Sequence, residues 1–271
     1  MKRFTFVVGA IAFGAAVPGM AQADSWRVTG GLDYTSGMYG EARETQVLAA
    51  PMSAKYINGA LTFRAAIPYL YVDGPANVAV LDEGETGGGG DVIGLPGARR
   101  QSRSGFGDTT LSATYAFNRI GGTRTYLDVT GKLRLPTGDE NAGLGTGATD
   151  VIAEAELGHS FRWGGAYVAL GRRFLGDSDR FAREDGWQVN TGAWVSQGDN
   201  ELGGYFSWKQ ASVRRFDDPS EVGAYVARRI TPHWRMQISA MAGLTDASPD
   251  LGTAISFSYR SDARRRVKRN D

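Results

Sequence analysis

The sequence has 271 residues, 30 Lys and Arg against 29 Asp and Glu, and no cysteine. The lack of cysteine excludes a disulfide framework and a thiolate metal site, and the formal net charge of +1 argues against nucleic acid as a partner. The 38 glycines have no three-residue period, which excludes a collagen-like chain.

The N-terminus has the three parts of an export signal. Two basic residues open the chain, residues 4–17 are apolar, and Ala21-Gln22-Ala23 matches a small-x-small cleavage site. The apolar stretch is shorter than the roughly 20 residues that a membrane-spanning helix needs. We therefore expect a signal peptide over 1–23 and a mature chain that begins at Asp24.

The rest of the chain alternates between apolar and polar side chains with period two, which indicates strands with one apolar face. In 123–135, for example, Leu127 and Val129 share one face and Asp128 lies on the other. About 12 antiparallel strands are predicted, most of them long enough to cross a membrane. Their ranges are 25–35, 45–57, 60–71, 106–118, 123–135, 150–163, 166–175, 186–196, 201–213, 220–230, 233–244 and 250–260. Pro51 cannot donate to a strand ladder, so either the second strand has a β-bulge there or its assignment as a strand is wrong.

The connections between these strands alternate in length. Tight turns such as Asn58-Gly59 and Thr231-Pro232 follow the even-numbered strands, and most connections after odd-numbered strands are longer, such as 136–149. Short periplasmic turns and longer extracellular loops are typical of outer-membrane barrels. The sequence therefore predicts an all-β fold, a transmembrane antiparallel β-barrel over 24–260, with a basic periplasmic tail over 261–271.

Charged residues on the polar strand faces are expected to line the barrel lumen. They are Arg64, Asp128, Lys132, Arg134, Glu154, Glu156, Arg162, Arg173, Lys209, Arg229 and Arg235. Burying so many charges in a soluble sandwich would carry a large desolvation cost, whereas a barrel interior holds water or ion pairs. Glu154 and Glu156 follow one strand after Lys132 and Arg134 and are candidates to neutralise them. Two interpretations stay open: a sealed polar core if all charges pair, or a narrow pore that favours anions if a basic excess remains.

The longest connection, residues 72–105, is a candidate constriction loop. Its charged residues include Asp82, Glu83, Asp91, Arg99, Arg100 and Arg103. The loop either folds into the lumen or lies outside against the phosphates of lipopolysaccharide, and the sequence favours neither.

Three stretches resemble a known family. They are Ser104–Leu111 (SGFGDTTL), Lys132–Asp139 (KLRLPTGD) and Gly143–Gly147 (GLGTG). Together with the export signal they resemble the outer-membrane barrel family labelled "MetA pathway of phenol degradation", a group of transporters. The resemblance implies this architecture and, more loosely, uptake of small aromatic or hydrophobic compounds. Members usually end on an aromatic residue that the barrel-assembly machinery recognises, a role that Phe257–Arg260 would have here.

The residues favour a channel over an enzyme. His159-Ser160 suggests a lipid hydrolase, but adjacent strand residues point to opposite faces and so cannot form a nucleophile–base pair. The leading prediction is passive passage of small molecules through the outer membrane. The alternatives are a non-conducting structural or surface-binding barrel and, less favoured, a membrane-embedded lipid hydrolase. No metal or cofactor is expected; the expected partners are outer-membrane lipids and lipopolysaccharide, a small-molecule solute and the barrel-assembly machinery.

Overall fold

The structure, a computed structural model, describes residues 25–39, 43–75, 79–82, 91–93, 100–178 and 182–261. The predicted signal peptide and, apart from Ser261, the predicted basic tail lie outside the described residues. Within the described ranges, no helix has the length and apolar character needed to cross a bilayer.

The described chain consists of β-strands, tight turns and loops, with one short 3-10 turn at Ile120–Gly122. The strands are β1 (Ser25–Gly37), β2 (Thr45–Asn58), β3 (Leu61–Pro75), β4 (Ala79–Asp82), β5 (Asp91–Ile93), β6 (Arg100–Phe106), β7 (Thr109–Asn118), β8 (Thr125–Leu135), β9 (Asp150–Ser160), β10 (Gly164–Phe174), β11 (Gly186–Gln197), β12 (Asn200–Lys209), β13 (Ser220–Arg229), β14 (Trp234–Gly243) and β15 (Leu251–Arg260). The predicted alternation of tight and longer connections is confirmed.

The main sheet closes on itself. In the described residues it has 13 strands, and β1 pairs with both β2 and β15. Because β6 and β7 both pair with β3, they are two halves of one crossing, and the barrel has 12 crossings. Closure removes the first and last edges of the sheet, as a bilayer requires; in the described residues β6, which continues the crossing beyond β7, pairs with β3 alone. The predicted fold class and strand number are confirmed. β4 and β5 form a separate two-stranded sheet.

Large apolar side chains alternate outward along every crossing of the barrel. Aromatic rings group near both ends of the outer surface: the ring centroids of Trp26 and Tyr56 lie 4.7 Å apart at the end that carries the termini, and those of Tyr69 and Phe106 lie 5.3 Å apart near the opposite end. Aromatic side chains prefer the headgroup level of a bilayer. The outer surface therefore matches an apolar membrane band between two girdles.

The bulge predicted at Pro51 is wrong. The pairing of β2 with β1 and with β3 keeps a constant register along its length, and Pro51 lies directly opposite Pro68. In an antiparallel pair, residues alternate between exchanging hydrogen bonds and not exchanging them. Pro51 therefore needs no N–H toward Pro68. On its other side the ladder with β1 is interrupted between Gly30–Met52 and Asp33–Ala49, so the strand accepts Pro51 with a local gap in pairing and without an extra residue.

A bulge occurs instead between β6 and β7, across from Pro68. β3 pairs Tyr69 with Phe106 but Ala66 with Thr110, so the register shifts by one residue. The Gly107 N–H donates to the Pro68 carbonyl at 3.0 Å, and Pro68 has no N–H to return. Bulges re-aim a side chain, and here Asp108 follows directly after the shifted position.

Candidate functional site

An apolar cluster lies inside the end of the barrel that is opposite the chain termini. Its members are Tyr39, Val47, Ala49, Leu70, Val72 and Leu144. The Tyr39 hydroxyl donates to Thr35 Oγ1 at 3.0 Å, and burial raises the pKa of the Tyr39 phenol. Leu144, which is only 2% exposed, comes from the connection between β8 and β9. The mouth of the barrel is therefore apolar on the side of β1 to β3, and it is closed in part by this loop, which we call the mouth loop (residues 136–149).

Asp108 holds the mouth loop in place. Its Oδ1 accepts the Gly138 N–H at 3.0 Å, and its Oδ2 accepts the Thr146 N–H and hydroxyl at 2.9 and 3.0 Å. Gly105 makes room for the loop, because a Cβ there would lie 2.8 Å from Leu144 Cδ1. The three stretches that carry the family resemblance thus meet at one place, where the first holds the other two.

A second loop packs into the mouth between β14 and β15. The Ser248 hydroxyl accepts the Ser220 N–H and donates to the Ser220 carbonyl, both at 2.8 Å. Pro249 beside it is fully buried. This loop therefore narrows the mouth from the β14–β15 side of the barrel, whereas Asp108 lies just before the start of β7 on the other side.

At the same end of the barrel, on β8 and β9, Asp150 joins two arginines in a buried ion cluster. Arg183 donates to both Asp150 oxygens, at 2.8 and 2.6 Å, and Arg134 Nη1 donates to Oδ2 at 3.1 Å. The Gly176 N–H completes the shell at 3.0 Å. Asp150, at the first position of its strand, was not among the predicted lumen residues, although it shares their alternation.

Other predicted lumen charges also have local partners on the inner face. Lys132 Nζ lies 3.6 Å from Glu154 Oε1, as proposed from strand order, and Gln188 Nε2 donates to Glu154 Oε2 at 2.7 Å. Glu156 accepts the Tyr126 hydroxyl at 2.9 Å. Arg235 Nη2 lies 2.7 Å from Glu201 Oε1, which also accepts the Tyr225 hydroxyl at 3.0 Å.

The remaining predicted lumen residues divide into two groups. Arg173 is fully buried and donates to the Gln210 carbonyl at 3.1 Å. Arg64, Asp128 and Lys209 lie on the inner face and are partly buried.

Two predicted lumen residues lie outside the lumen. Arg162 lies exposed in the turn after β9, because that strand ends at Ser160 rather than at 163. Arg229 lies exposed at the rim, where its Nε is 2.9 Å from Asp199 Oδ1. Arg162 continues the inward alternation beyond the end of β9, and Arg229 is the last paired residue of β13.

The predicted constriction loop has different bounds and a different arrangement from those expected. Residues 72–75 end β3 and residues 100–105 belong to β6, and the two strands pair. Arg100 is therefore a strand residue, 46% exposed, whose Nη2 lies 2.9 Å from Asp73 Oδ2. Arg103 is buried and donates to the Pro75 and Gln101 carbonyls.

The other residues of the predicted constriction belong to the tip of this connection. Asp82 and Asp91 pair across β4 and β5, and Glu83 and Arg99 lie outside the described residues. In the described chain, the connections that supply residues to the apolar cluster are the mouth loop, with Leu144, and the segment after β1, with Tyr39.

His159 lies on the outer face near the rim. Its Nδ1 is 2.9 Å from Thr125 Oγ1, and its ring is 5.1 Å from that of Phe161. Ser160 faces the interior and is buried. The two side chains therefore point to opposite faces, as the alternation predicts.

Comparison with known proteins agrees with this architecture. The sequence profile of the family described as "Putative MetA-pathway of phenol degradation" matches residues 15–261. The COG4313 outer membrane channel from Pseudomonas putida F1 has a similar fold, with a TM-score of 0.66, 13% identity, and coverage of 92% of this chain and 100% of that one. The KdgM porin superposes with a TM-score of 0.52 at 7% identity, covering 86% of this chain and 98% of that one. Among curated proteins, none matches by sequence.

We predict that Asp108→Ala releases the mouth loop. The change removes three hydrogen bonds to a carboxylate, which together stabilise the inward position by about 3 kcal/mol or more. Because the protein has no cysteine, a single Leu144→Cys reports the loop position through its reaction with a membrane-impermeant maleimide on intact cells. Labelling should be slow in the Leu144→Cys protein and much faster once Asp108→Ala is added.

The matched control is Asp246→Ala, which removes an exposed carboxylate from another loop at the same end of the barrel. It should leave the labelling rate of Leu144→Cys unchanged. Equal labelling rates for Leu144→Cys alone and for Leu144→Cys combined with Asp108→Ala would show that the carboxylate does not hold the loop.

We predict that Asp150→Ala lowers the temperature at which the folded barrel unfolds in a heat-modifiable mobility assay. The change leaves Arg134 and Arg183 buried without this carboxylate, and breaking a buried pair costs about 3–5 kcal/mol. Asp199→Ala is the comparison, because its pair with Arg229 is exposed and contributes about 0–1 kcal/mol. Equal unfolding temperatures for the two variants would contradict the assigned role of Asp150.

Proposed function

Because the chain belongs to the family described as "Putative MetA-pathway of phenol degradation", we propose that it lets small uncharged molecules, aromatic ones among them, pass through the outer membrane without an energy source. The protein is an outer-membrane β-barrel, and its outer face meets membrane lipids. The solute class is our proposal and rests on the chemistry of the barrel mouth.

The apolar cluster at the mouth is the observation that carries this proposal. A solute entering from outside meets Tyr39, Val47, Leu70 and Leu144 on one side of the mouth, and on another side it meets the ion cluster of Asp150, whose charges are buried and paired. Apolar surface favours apolar solutes and offers a charged one no compensation for lost water. In the ion cluster around Asp150 and in the Lys132–Glu154 pair, opposite charges neutralise each other and so attract dissolved ions less.

The buried mouth also favours a second candidate, a barrel that binds a solute without conducting ions at rest. Leu144 and Pro249 are both packed inward, so two loops cover part of the described mouth. Single-channel recording in planar bilayers separates the two candidates. Ion current through the wild-type protein supports an open pore, and its absence in folded protein supports the closed barrel.

Two partner proposals rest on the outer face. Arg172 lies 5.2 Å from the Trp187 ring centroid and 3.8 Å from Asp185 Oδ2, near the extracellular ends of their strands. A cation at the headgroup level is suited to a lipopolysaccharide phosphate. The exposed Phe257 and Tyr259 in the last strand suit recognition by the barrel-assembly machinery.

We predict that the protein admits N-phenyl-1-naphthylamine, an apolar aromatic dye that an intact lipopolysaccharide leaflet excludes. Dye fluorescence should rise faster in cells that produce the protein than in cells without it. Leu144→Arg should abolish most of the gain, because it places a charge in the apolar cluster, whereas Asp246→Arg alters only an exposed position at the same end. Heat-modifiable mobility checks that each variant is folded. A folded wild-type protein that gives no faster dye entry would overturn the proposal.

A further inference from the structure

On the inner wall, large side chains alternate with glycine from strand to strand along a line of directly paired residues. The line runs through Tyr126, Gly158, Tyr167, Gly192, Tyr205 and Gly223. It continues through Met241 and Gly252 to Thr35. Each residue of the line is the cross-strand partner of the next, so the alternation follows the hydrogen-bonding direction rather than the sequence.

A second line runs beside it, two residues closer to the periplasmic end on most strands. Its partners are Gly165, Trp194, Gly203 and Tyr225. The large residues of the two lines are staggered, because the first has them on β10 and β12 and the second on β11 and β13. The ring centroids of Tyr167 and Trp194 lie 6.4 Å apart. We call the rings of Tyr126, Tyr167, Trp194, Tyr205 and Tyr225 the aromatic track.

The glycines let these rings lie flat against the barrel wall. A Cβ at Gly158 would overlap the Tyr126 ring, and one at Gly203 would overlap the Tyr225 ring. At Gly192 a Cβ would lie 2.7 Å from Tyr167 Cε1. Because one ring face covers the backbone, the other is turned toward the interior. Tyr167, Trp194 and Tyr225 are partly exposed there. Tyr126 and Tyr205 are the most buried rings of the track, each 8% exposed.

The two lines cross the membrane as they go around the barrel. Strands spaced about 4.8 Å apart and tilted by about 40° raise each successive partner by about 3 Å. The ten steps from β8 to β3 therefore rise about 30 Å, the thickness of the hydrocarbon core. Tyr126 lies at the second position of β8, near the periplasmic end, and the line ends at Val47 and Val72.

The upper ends of both lines are the apolar cluster itself. The first line passes from Thr35 to Val47 and Val72. The second passes from Asp33 to Ala49 and Leu70, and ends at Gly105, over which Leu144 packs. The two lines thus lead from the mouth to the periplasmic end. They are aliphatic at the top and aromatic at the bottom, with the polar residues Thr35, Asp33 and Ser239 between.

The inner residues beside Tyr167 and Tyr205 on their own strands have short side chains. Ala169 and Ser207 flank Tyr167 and Tyr205 along their own strands. Two carboxylates beside the track, Glu156 and Glu201, accept hydrogen bonds from track hydroxyls, and Asp128 is the inner neighbour of Tyr126 along β8. The ring faces are therefore the main apolar surface at this depth of the lumen.

We propose that the aromatic track is the solute-binding path of the barrel and that it takes uncharged, flat, monocyclic aromatic molecules such as phenols. Stacked and edge-to-face rings attract one another beyond simple apolar burial, so the track favours an aromatic solute over an aliphatic one of the same size. The proposal rests on the proposed function for its direction of passage, but binding to the track is a separate property.

The test measures phenol binding to purified, folded protein by titration calorimetry in detergent, with cyclohexanol as the non-aromatic probe of similar size. The wild-type protein should bind phenol more tightly than cyclohexanol. Tyr167→Leu and Trp194→Leu should each weaken phenol binding about three- to tenfold. Tyr167→Phe, which keeps the ring, should bind within about twofold of the wild type.

The controls are rings of the same type on the outer surface. Tyr115→Leu and Trp163→Leu remove exposed rings and should leave phenol affinity unchanged. If Tyr167→Leu and Trp194→Leu lower only the unfolding temperature and leave phenol affinity intact, the rings serve to seal the wall and the proposal is overturned. It is also overturned if the wild type binds phenol and cyclohexanol equally or binds neither.

Dye entry into cells separates this inference from the proposed function. Phenol binding that depends on the track, without faster dye entry, supports the track and contradicts passage. Faster dye entry that is equal in the wild type, Tyr167→Leu and Tyr115→Leu supports passage and contradicts the track.

Discussion

The architecture of this protein depends on one constraint: every backbone N–H and C=O group in the hydrocarbon core of the membrane must have a hydrogen-bond partner. A bilayer offers no water to an unpaired group, so strands that cross it must close into a ring. Closure between β1 and β15 meets that need and also forces side chains to alternate between lipid and interior. The interior then has to accept the polar side of each strand, and the structure does so with local ion pairs and hydrogen bonds, as at Asp150 and Glu154.

The pairing requirement also explains how the mouth is built. Pro68 cannot return a hydrogen bond to the neighbouring strand, and the register shifts by one residue beside it. The shift ends with Asp108, whose carboxylate holds the mouth loop and with it Leu144. A local defect in the ladder thus becomes an anchor for the segment that covers the entrance.

Much of the fold was predictable because period-two alternation, turn residues and strand length all depend on local chemistry. The strand boundaries from Ser25 to Arg260 follow the predicted ones closely, apart from the hairpin of β3 and β6, where paired strand continues into the expected loop. The inward position of Leu144 was missed, because a glycine-rich loop with few apolar residues is typical of a solvent-exposed segment. The apolar neighbours Ala142 and Ala148 were the sequence features that could have indicated a buried loop. The glycine–aromatic lines were also missed, because they depend on the register between strands, which the sequence does not show directly.

The alternation of ring and glycine across paired strands has a consequence for how such a barrel diversifies. The aromatic ring on one strand needs only a glycine at the paired position of the neighbouring strand. The backbone is the same whichever of the two paired residues is aromatic. Exchanging the two partners of a pair, as at Tyr205 and Gly223, would therefore shift an aromatic contact sideways by one strand while the wall keeps its shape. Paired substitutions of this kind could therefore change which solutes such a barrel binds during evolution, while its strands and their register stay the same.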